Sequence, residues 1–313
     1  MVYWQIRLRE RRMLTSLSLR QGTSSVAPNH VQKWLRVRVR YMSKTTSNGN
    51  GKDQIILRHD YPKYGISVLT LNRPRQRNAL SMELLNCLDT ELNSLQASSK
   101  ELRSVVLCAN GPVFSAGHDL KEITSPENAN KECYKKLFSF CSEVMQKVQN
   151  IPQPVIAAVD GIATAAGCQL VTTCDLVVAS PGSKFATPGV DIGLFCSTPA
   201  VAVARAVNRK AAMDMLLTGR MVPAEEALSM GLISHIDEHP QQRAMELAKS
   251  IASRSAAAIA IGKKAFYQQI AADNLENAYE CASRAMVEGM LTHDASEGIN
   301  AFISKRTPEW KHD

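Results

Sequence analysis

Short apolar segments that resemble β-strands alternate with segments of helical periodicity between residues 54 and 180. From Thr198 onward the strand signals stop, and helical segments follow one another to the end of the chain. Strands separated by helices at this spacing predict an α/β architecture with a helical C-terminal region. Since the patterned sequence begins just after a polar, glycine-containing linker, the predicted folded domain covers residues 53–313.

The same patterns predict individual elements. The predicted strands are residues 54–58, 65–71, 103–109, 154–159 and 176–179. The predicted helices are residues 81–95, 128–149, 166–174, 200–207, 209–217, 224–230, 242–254, 256–270, 275–290 and 294–304. Ser81 is the expected N-cap of the first helix, because a hydroxyl at that position can accept a hydrogen bond from the first helical turn.

Positive charge is concentrated in the first 50 residues. These residues hold ten Lys and Arg and one acid, a net charge of +9, whereas the whole chain carries +8. The remainder is therefore close to neutral, which argues against a body that binds nucleic acid by charge. An Arg-rich leader that contains Ser and Thr and almost no acids is typical of a mitochondrial transit peptide.

We therefore expect residues 1–52 to be a transit peptide and linker, largely disordered and removed on import into the mitochondrial matrix. The alternative is a basic arm that binds nucleic acid or an anionic surface. No stretch reaches the roughly 18 uninterrupted apolar residues that a membrane-spanning helix needs. The eight cysteines form no CxxC pair, and His235 and His239 lie in a segment that we interpret as a loop, so no metal site is predicted.

Two short stretches are the strongest candidates for a functional site. Residues 114–120 and 161–175 each place a turn of small residues before a segment that can form a helix. Such turns can leave backbone N–H groups unpaired at two places where a carbonyl oxygen could bind. The two stretches therefore predict a site that stabilises negative charge on an oxygen.

Seven motifs in order resemble the crotonase (enoyl-CoA hydratase/isomerase) superfamily from about residue 54 to the C-terminus. They lie at residues 72–81, 114–120, 156–161, 166–175, 185–193, 217–232 and 297–306. The resemblance implies a crotonase-like spiral of ββα repeats with a C-terminal helical region, assembled as a homotrimer or a dimer of trimers. It also implies an acyl-CoA thioester as substrate or ligand, with no permanently bound cofactor.

In this family the thioester oxygen lies between two backbone N–H groups, an arrangement called an oxyanion hole. By position these N–H groups fall on His118 and Ala166. The resemblance also implies basic contacts to the CoA phosphates and a backbone contact to the adenine near Ala116. The basic candidates for the phosphates are Arg75, Arg77, Lys121 and Lys263.

The chain departs from the family at the groups that move protons. The two glutamates that hold and activate water in hydratases correspond to Gln169 and Gly189. An amide does not exchange protons usefully near neutral pH, and glycine has no side chain, so we expect weak or absent hydratase activity. Asp191 is the nearby carboxylate that could substitute. If the surrounding loops are retained, Gln169→Glu together with Gly189→Glu is expected to raise the rate of hydration.

Two other functions stay open. His118 could act as an acid or base, as in crotonase-like decarboxylases or thioester hydrolases, although the tyrosine partner of the decarboxylase pattern corresponds to Cys196. RNA binding, known for one crotonase relative with a lysine-rich helix, is disfavoured because residues 81–95 contain three acids and no bases. The favoured interpretation is a mitochondrial acyl-CoA-binding protein of fatty-acid and lipid metabolism.

Overall fold

The computed structural model describes residues 54–313. The predicted transit peptide and linker, residues 1–52, lie outside the described residues. No helix in the described part of the chain is long and apolar enough to cross a membrane.

The described residues contain two β-sheets built from ten strands. The strands are β1 (Ile56–Tyr61), β2 (Ile66–Leu71), β3 (Ser104–Ala109), β4 (Val113–Ser115), β5 (Val155–Val159), β6 (Ile162–Thr164), β7 (Leu176–Ala179), β8 (Lys184–Ala186), β9 (Val222–Pro223) and β10 (His235–Ile236). The larger sheet has the order β1-β2-β3-β5-β7-β10, and the smaller has the order β4-β6-β8-β9. In the larger sheet β1 and β2 are antiparallel, and the other neighbours are parallel.

Eleven α-helices occur in the same part of the chain. They are α1 (Met82–Ala97), α2 (Leu120–Ile123), α3 (Lys131–Asn150), α4 (Ala166–Thr173), α5 (Ser197–Ala206), α6 (Arg209–Thr218), α7 (Ala224–Met230), α8 (Pro240–Ala252), α9 (Ala256–Ile270), α10 (Leu275–Met290) and α11 (His293–Ile303). The predicted N-cap of α1 is confirmed, since Ser81 Oγ accepts a hydrogen bond from the Leu84 N–H.

The chain repeats a strand-strand-helix unit three times. The units are β3-β4-α3, β5-β6-α4 and β7-β8-α5, with the short helix α2 inserted in the first. Each unit adds one parallel strand to the larger sheet and one to the smaller sheet. Two parallel strands that are neighbours in a sheet need a long crossover connection. In the first two units the helix completes this connection and leads to the next strand of the larger sheet. The predicted ββα spiral with a helical C-terminal region is confirmed.

The main hydrophobic core lies beneath the larger sheet and includes the buried face of α1 and much of α4. Phe114 and Phe185 are fully buried there. A second cluster covers the opposite face of the larger sheet with the alanines of α8. Among the described residues, neither cluster includes a residue of α9, α10 or α11. The C-terminal helices are therefore attached by other contacts.

The expectation that strands end before Thr198 is wrong, since β9 and β10 lie beyond it. The three-residue strands β4, β6 and β8 were also not predicted. Segments of two or three residues are too short to show alternation, so tertiary pairing rather than local pattern defines them. These short strands build the smaller sheet, and two of them lead directly into the candidate site.

Candidate functional site

The two small-residue turns are in direct contact. A Cβ atom added to Gly117 would lie 2.8 Å from the Cβ of Ala165 and 3.3 Å from the backbone nitrogen of Ala166. A Cβ atom added to Gly167 would lie 2.4 Å from the carbonyl oxygen of Ser115. Both approaches are closer than a side chain tolerates, so glycine is required on each side of the contact.

The backbone is strained immediately before α4. Ala165 has φ +50° and ψ −122°, a conformation that a residue with a Cβ atom rarely adopts. Its N–H donates to the carbonyl oxygen of Ala186 on β8 at 2.9 Å, which holds the turn in this conformation. The strain directs the next residue, Ala166, into the first position of α4, where the N–H has no partner within the helix.

Neither of the two predicted donors, the backbone N–H groups of His118 and Ala166, makes a hydrogen bond within the described residues. Ala166 begins an eight-residue helix, whose N-terminal end carries a partial positive charge. The structure therefore brings the His118 and Ala166 turns together with two free N–H groups, an arrangement that can bind an oxygen carrying negative charge.

Asn78 and Ser115 hold the His118 turn in place. The Asn78 side chain donates to the carbonyl oxygens of Asn110 and Val113 and is fully buried. Ser115 Oγ donates to the Asn78 carbonyl oxygen at 2.8 Å and accepts from the Gly117 N–H at 3.3 Å. The turn is thus fixed by two side chains to which the sequence analysis assigned no function.

The His118 ring is packed rather than exposed. Its Nδ1 lies 3.3 Å from the Leu80 carbonyl oxygen, and its ring meets Phe138 edge-on with centroids 5.4 Å apart. A carbonyl oxygen only accepts, so Nδ1 carries the proton and Nε2 is a lone pair, buried without a partner. Burial lowers the pKa of His118 below its usual value, only partly opposed by the Leu80 contact. The imidazole is therefore neutral near pH 7.

Gln169 lies one helical turn after Ala166, on the same side of α4. The residue is 4% exposed, and its Oε1 has no hydrogen-bond partner among the described residues. A buried amide can orient a bound molecule through hydrogen bonds but does not transfer protons near neutral pH.

Gly189, which the family resemblance aligns with the second glutamate, is closely packed against the segment that follows it. A Cβ atom added to Gly189 would lie 2.9 Å from the Leu194 carbonyl oxygen and 2.9 Å from Cys196 Sγ. Cys196 Sγ also accepts from the Gly189 N–H at 3.3 Å. These contacts oppose the expectation that Gly189→Glu with Gln169→Glu would raise hydration, because the segment after Gly189 must shift to admit a side chain.

Asp191, the carboxylate predicted to substitute for a glutamate, lies on the protein surface. It is exposed in the 3-10 helix Pro188–Ile192, and a Cβ atom added to Gly219 would lie 3.2 Å from its Oδ1. Its carboxylate therefore lies beside the C-terminal end of α6.

The predicted CoA contacts divide into two groups. Arg75, Arg77 and Lys121 are exposed, and the Ala116 N–H donates to the Arg77 carbonyl oxygen at 3.0 Å. These residues remain available to a ligand beside the His118 turn. Lys263 is not available, because its side chain is 7% exposed and its ammonium donates to Asp175 Oδ2 at 2.7 Å. The structure therefore does not support the prediction of Lys263 as a phosphate contact.

A cluster of His293, Asp294 and Asp313 could in principle hold a metal ion. However, the two carboxylate oxygens of Asp294 accept hydrogen bonds from the backbone N–H groups of Lys311 and His312. That carboxylate therefore fastens the C-terminal segment to the start of α11. All eight cysteines are free thiols.

Sequence reasoning missed the residues that shape the site without touching a ligand. Asn78 carried a usable signal, since asparagine is enriched at positive φ and its φ is +49°. Ala165 gave no such signal, because an alanine in a sequence does not indicate the positive φ that glycine usually adopts. Leu194 and Cys196 fill the space beside Gly189 because of the way residues 189–196 fold back, and the sequence pattern of this segment does not predict that conformation.

Comparisons with known proteins agree with the fold. The family described as enoyl-CoA hydratase/isomerase matches residues 62–313. The enoyl-CoA hydratase domain-containing protein 3, mitochondrial, of Rattus norvegicus is 50% identical over 250 residues, covering 79% of this chain and 82% of that relative. The crystal structure of human enoyl Coenzyme A hydratase domain-containing protein 3 has a TM-score of 0.77 and 44% identity, covering 82% of this chain and 100% of that chain. An enoyl-CoA hydratase of Mycobacterium smegmatis has a TM-score of 0.77 and 43% identity, covering 82% and 99%.

Proposed function

The chain belongs to the enoyl-CoA hydratase/isomerase family, and from that premise we propose that it binds acyl-CoA thioesters through an oxyanion hole while hydrating enoyl-CoA weakly or not at all. The ligand is a CoA thioester, and no permanently bound cofactor takes part. Two observations together support this proposal. The N–H groups of His118 and Ala166 are free, and the space for a side chain at Gly189 is filled by neighbouring atoms.

Binding is supported by the contact between the two turns. The N–H groups of His118 and Ala166 are free and belong to turns that touch each other. A thioester carbonyl oxygen can accept from both, and the N-terminal end of α4 adds a favourable dipole. Donors fixed by the backbone need no rearrangement on binding, so they recognise the thioester whether or not a reaction follows.

Weak hydration is supported by the groups around those donors. Addition of water needs one group to accept a proton and one to return it, each worth roughly 10² to 10⁴ in rate. Gln169 supplies only an amide, and at Gly189 the Leu194 carbonyl oxygen and Cys196 Sγ fill the space of a side chain. Water can therefore be held beside the acyl group without being activated.

A second candidate function is catalysis by His118. The observation that favours it is the neutral imidazole, whose Nε2 lone pair has no partner. Such a group could accept a proton in a decarboxylation or thioester hydrolysis. Packing against Phe138 and the bond to Leu80 oppose this role, because the ring is held as part of the turn.

We infer a mitochondrial matrix location and a part in fatty-acid and lipid metabolism. The relatives from rat and human are named mitochondrial, and the Arg-rich composition of residues 1–50 agrees with import. N-terminal sequencing of the protein isolated from mitochondria tests this, with a new N-terminus expected before about residue 52. A mature protein that still carries Arg36 and Arg38 would contradict it.

We also infer a homotrimer or dimer of trimers. The C-terminal helices expose large apolar side chains, among them Leu275 at 73% and Phe302 at 86%. Apolar surface of this extent favours association between subunits. Sedimentation equilibrium measures the assembly directly, and a monomer at micromolar concentration would contradict this inference.

Calorimetry with acetyl-CoA and with free CoA tests the proposed binding. We expect acetyl-CoA to bind more tightly than free CoA, because only the thioester reaches the two N–H groups. The change Gly167→Val should remove this difference, since a Cβ atom there would overlap the Ser115 carbonyl oxygen. Equal affinities for both ligands in the unmodified protein would contradict the oxyanion-hole assignment.

A further inference from the structure

A buried polar cluster joins the end of α4 to α9. Asp175 Oδ2 accepts from Lys263 Nζ at 2.7 Å, and Asp175 Oδ1 accepts from the Tyr267 hydroxyl at 2.8 Å. Asp175 is also tied to β5, because its Oδ2 accepts from the Val155 N–H and its own N–H donates to the Val155 carbonyl oxygen. The residue therefore connects a strand of the larger sheet, the oxyanion-hole helix and the C-terminal helices.

The polar groups of this cluster satisfy one another. Lys263 Nζ makes two further hydrogen bonds, to the Val148 carbonyl oxygen at 3.2 Å and the Gln153 carbonyl oxygen at 2.8 Å. Burial lowers the pKa of Lys263, and the neighbouring Asp175 acts in the opposite direction. Burial and Asp175 together raise the pKa of Tyr267. A buried ion pair whose hydrogen-bonding capacity is filled is costly to break from one side.

Helix α9 contributes no residue to either buried hydrophobic cluster of the described chain. None of its residues is buried as a whole, yet the Lys263 side chain is only 7% exposed. The neighbouring helix α10 also has no buried residue. Among the described residues, the hydrogen bonds of Lys263 and Tyr267 tie α9 to the body of the protein.

The same carboxylate fixes the far end of the helix that begins with Ala166. Helix α4 has eight residues, so its ends are roughly 12 Å apart. Its first turn is held by the bond from Ala165 to Ala186, and its last residues run into Asp175 through Cys174. A short helix that is held at both ends transmits a displacement from one end to the other. When Lys263 and Tyr267 no longer hold the Asp175 carboxylate, a shift of Asp175 against β5 would therefore move the Ala166 N–H.

We propose that Asp175, Lys263 and Tyr267 form a positioning latch, which makes the placement of α4, and with it the Ala166 N–H, depend on the docking of α9. The latch residues touch no ligand and act through the helix. The part of this inference that concerns ligand binding rests on the proposed function, whereas the coupling between α9 and α4 does not.

Hydrogen–deuterium exchange of the full-length protein tests the coupling without a ligand. In Lys263→Met, the amides of α4 should exchange at least about tenfold faster than in the unmodified protein. The amides of β3 serve as the internal reference, because global unfolding would accelerate both elements. Lys264→Met is the matched control, since Lys264 is the exposed neighbour on the same helix. Equal protection of α4 in the two variants would overturn the latch.

A milder pair of variants covers the case in which Lys263→Met does not fold. Tyr267→Phe removes one hydrogen bond and leaves the ion pair intact, and Tyr279→Phe is its control because Tyr279 is 68% exposed. We expect faster α4 exchange in Tyr267→Phe alone, smaller than in Lys263→Met. Identical exchange in the two tyrosine variants would likewise overturn the latch.

The carbonyl stretching frequency of isotope-labelled acetyl-CoA, measured by infrared difference spectroscopy, tests the consequence for the site. Hydrogen bonds from both N–H groups should lower this frequency on binding. In Lys263→Met and Tyr267→Phe the lowering should be smaller, with affinity weakened about tenfold or more, while the controls match the unmodified protein. A full shift in the latch variants would contradict the latch. No shift in the unmodified protein would instead contradict the proposed function, and the exchange experiment would still decide the coupling.

Discussion

Gly117 and Ala165 stand so close that a Cβ atom on the glycine would lie 2.8 Å from the Cβ of the alanine. Both residues have positive φ, +86° for Gly117 and +50° for Ala165. The two turns that carry the free N–H groups therefore pack directly against each other, and a side chain on Gly117 would force them apart. This contact defines the distance between the donors, on which the proposed binding of a thioester depends.

The change Gly117→Ala is expected to abolish the preference for acetyl-CoA over free CoA. The added methyl group would overlap Ala165 and force a side chain into left-handed backbone, which separates the two turns. Loss of one oxyanion donor typically costs about 10² to 10³ in rate, and we expect a comparable loss in selectivity for the thioester. Calorimetry measures the affinities of the variant for acetyl-CoA and for free CoA. Gly182→Ala is the matched control, because nothing lies within 4 Å of its added Cβ. Retained selectivity in Gly117→Ala would argue against the site.

The closure around Gly189 predicts an effect on stability. Gly189→Ala should lower the free energy of unfolding by about 1–3 kcal/mol, as expected for overpacking of a filled site. Cys196→Ala in the same chain should recover part of the loss, because the thiol is removed while the Leu194 carbonyl oxygen stays. Urea denaturation of the single and double variants measures both effects. An undiminished stability in Gly189→Ala would show that the space is open.

His118 predicts a pH dependence of stability. Burial lowers the folded-state pKa of His118 below the ordinary 6.5, so the unfolded chain binds the proton at a higher pH than the folded protein. The stabilisation is fully present above pH 6.5 and is lost as pH falls towards the folded-state pKa. In that window stability should fall up to about 1.4 kcal/mol per pH unit more steeply than in His118→Gln. The pKa of His312 is also lowered, but both proteins share that contribution. Parallel profiles from pH 5 to 7.5 would contradict a buried neutral imidazole.

Much of the fold could be predicted from local sequence. The helices Ala224–Met230, Ala256–Ile270 and Leu275–Met290 have the predicted bounds, since apolar periodicity and flanking Gly, Ser and Asn mark their ends. The short strands of the smaller sheet could not be predicted, because two or three residues carry no periodicity and gain their structure from pairing with distant segments.

The parts of the candidate site that contain motif glycines could be predicted from the sequence. The parts that depend on packing between distant segments could not. Gly117 and Gly167 stand in motifs of small residues, and the structure places their turns in contact. In contrast, nothing in the sequence around Lys263 distinguishes it from a surface lysine. Only the structure shows that its side chain is buried beside Asp175. The strain at Ala165 and the closure at Gly189 likewise arise from neighbours far away in the sequence.

The central claim is that the protein binds an acyl-CoA thioester without hydrating it, and proton NMR of crotonyl-CoA with the full-length protein tests both parts in one sample. We predict broadened or shifted vinyl resonances that return to their free positions in Gly117→Ala, with no accumulation of the 3-hydroxyacyl product above the protein-free control. Unchanged vinyl resonances would contradict the binding site. Rapid appearance of the hydrated product would contradict the loss of proton-transfer groups and would assign the proton transfer to His118 or Asp191.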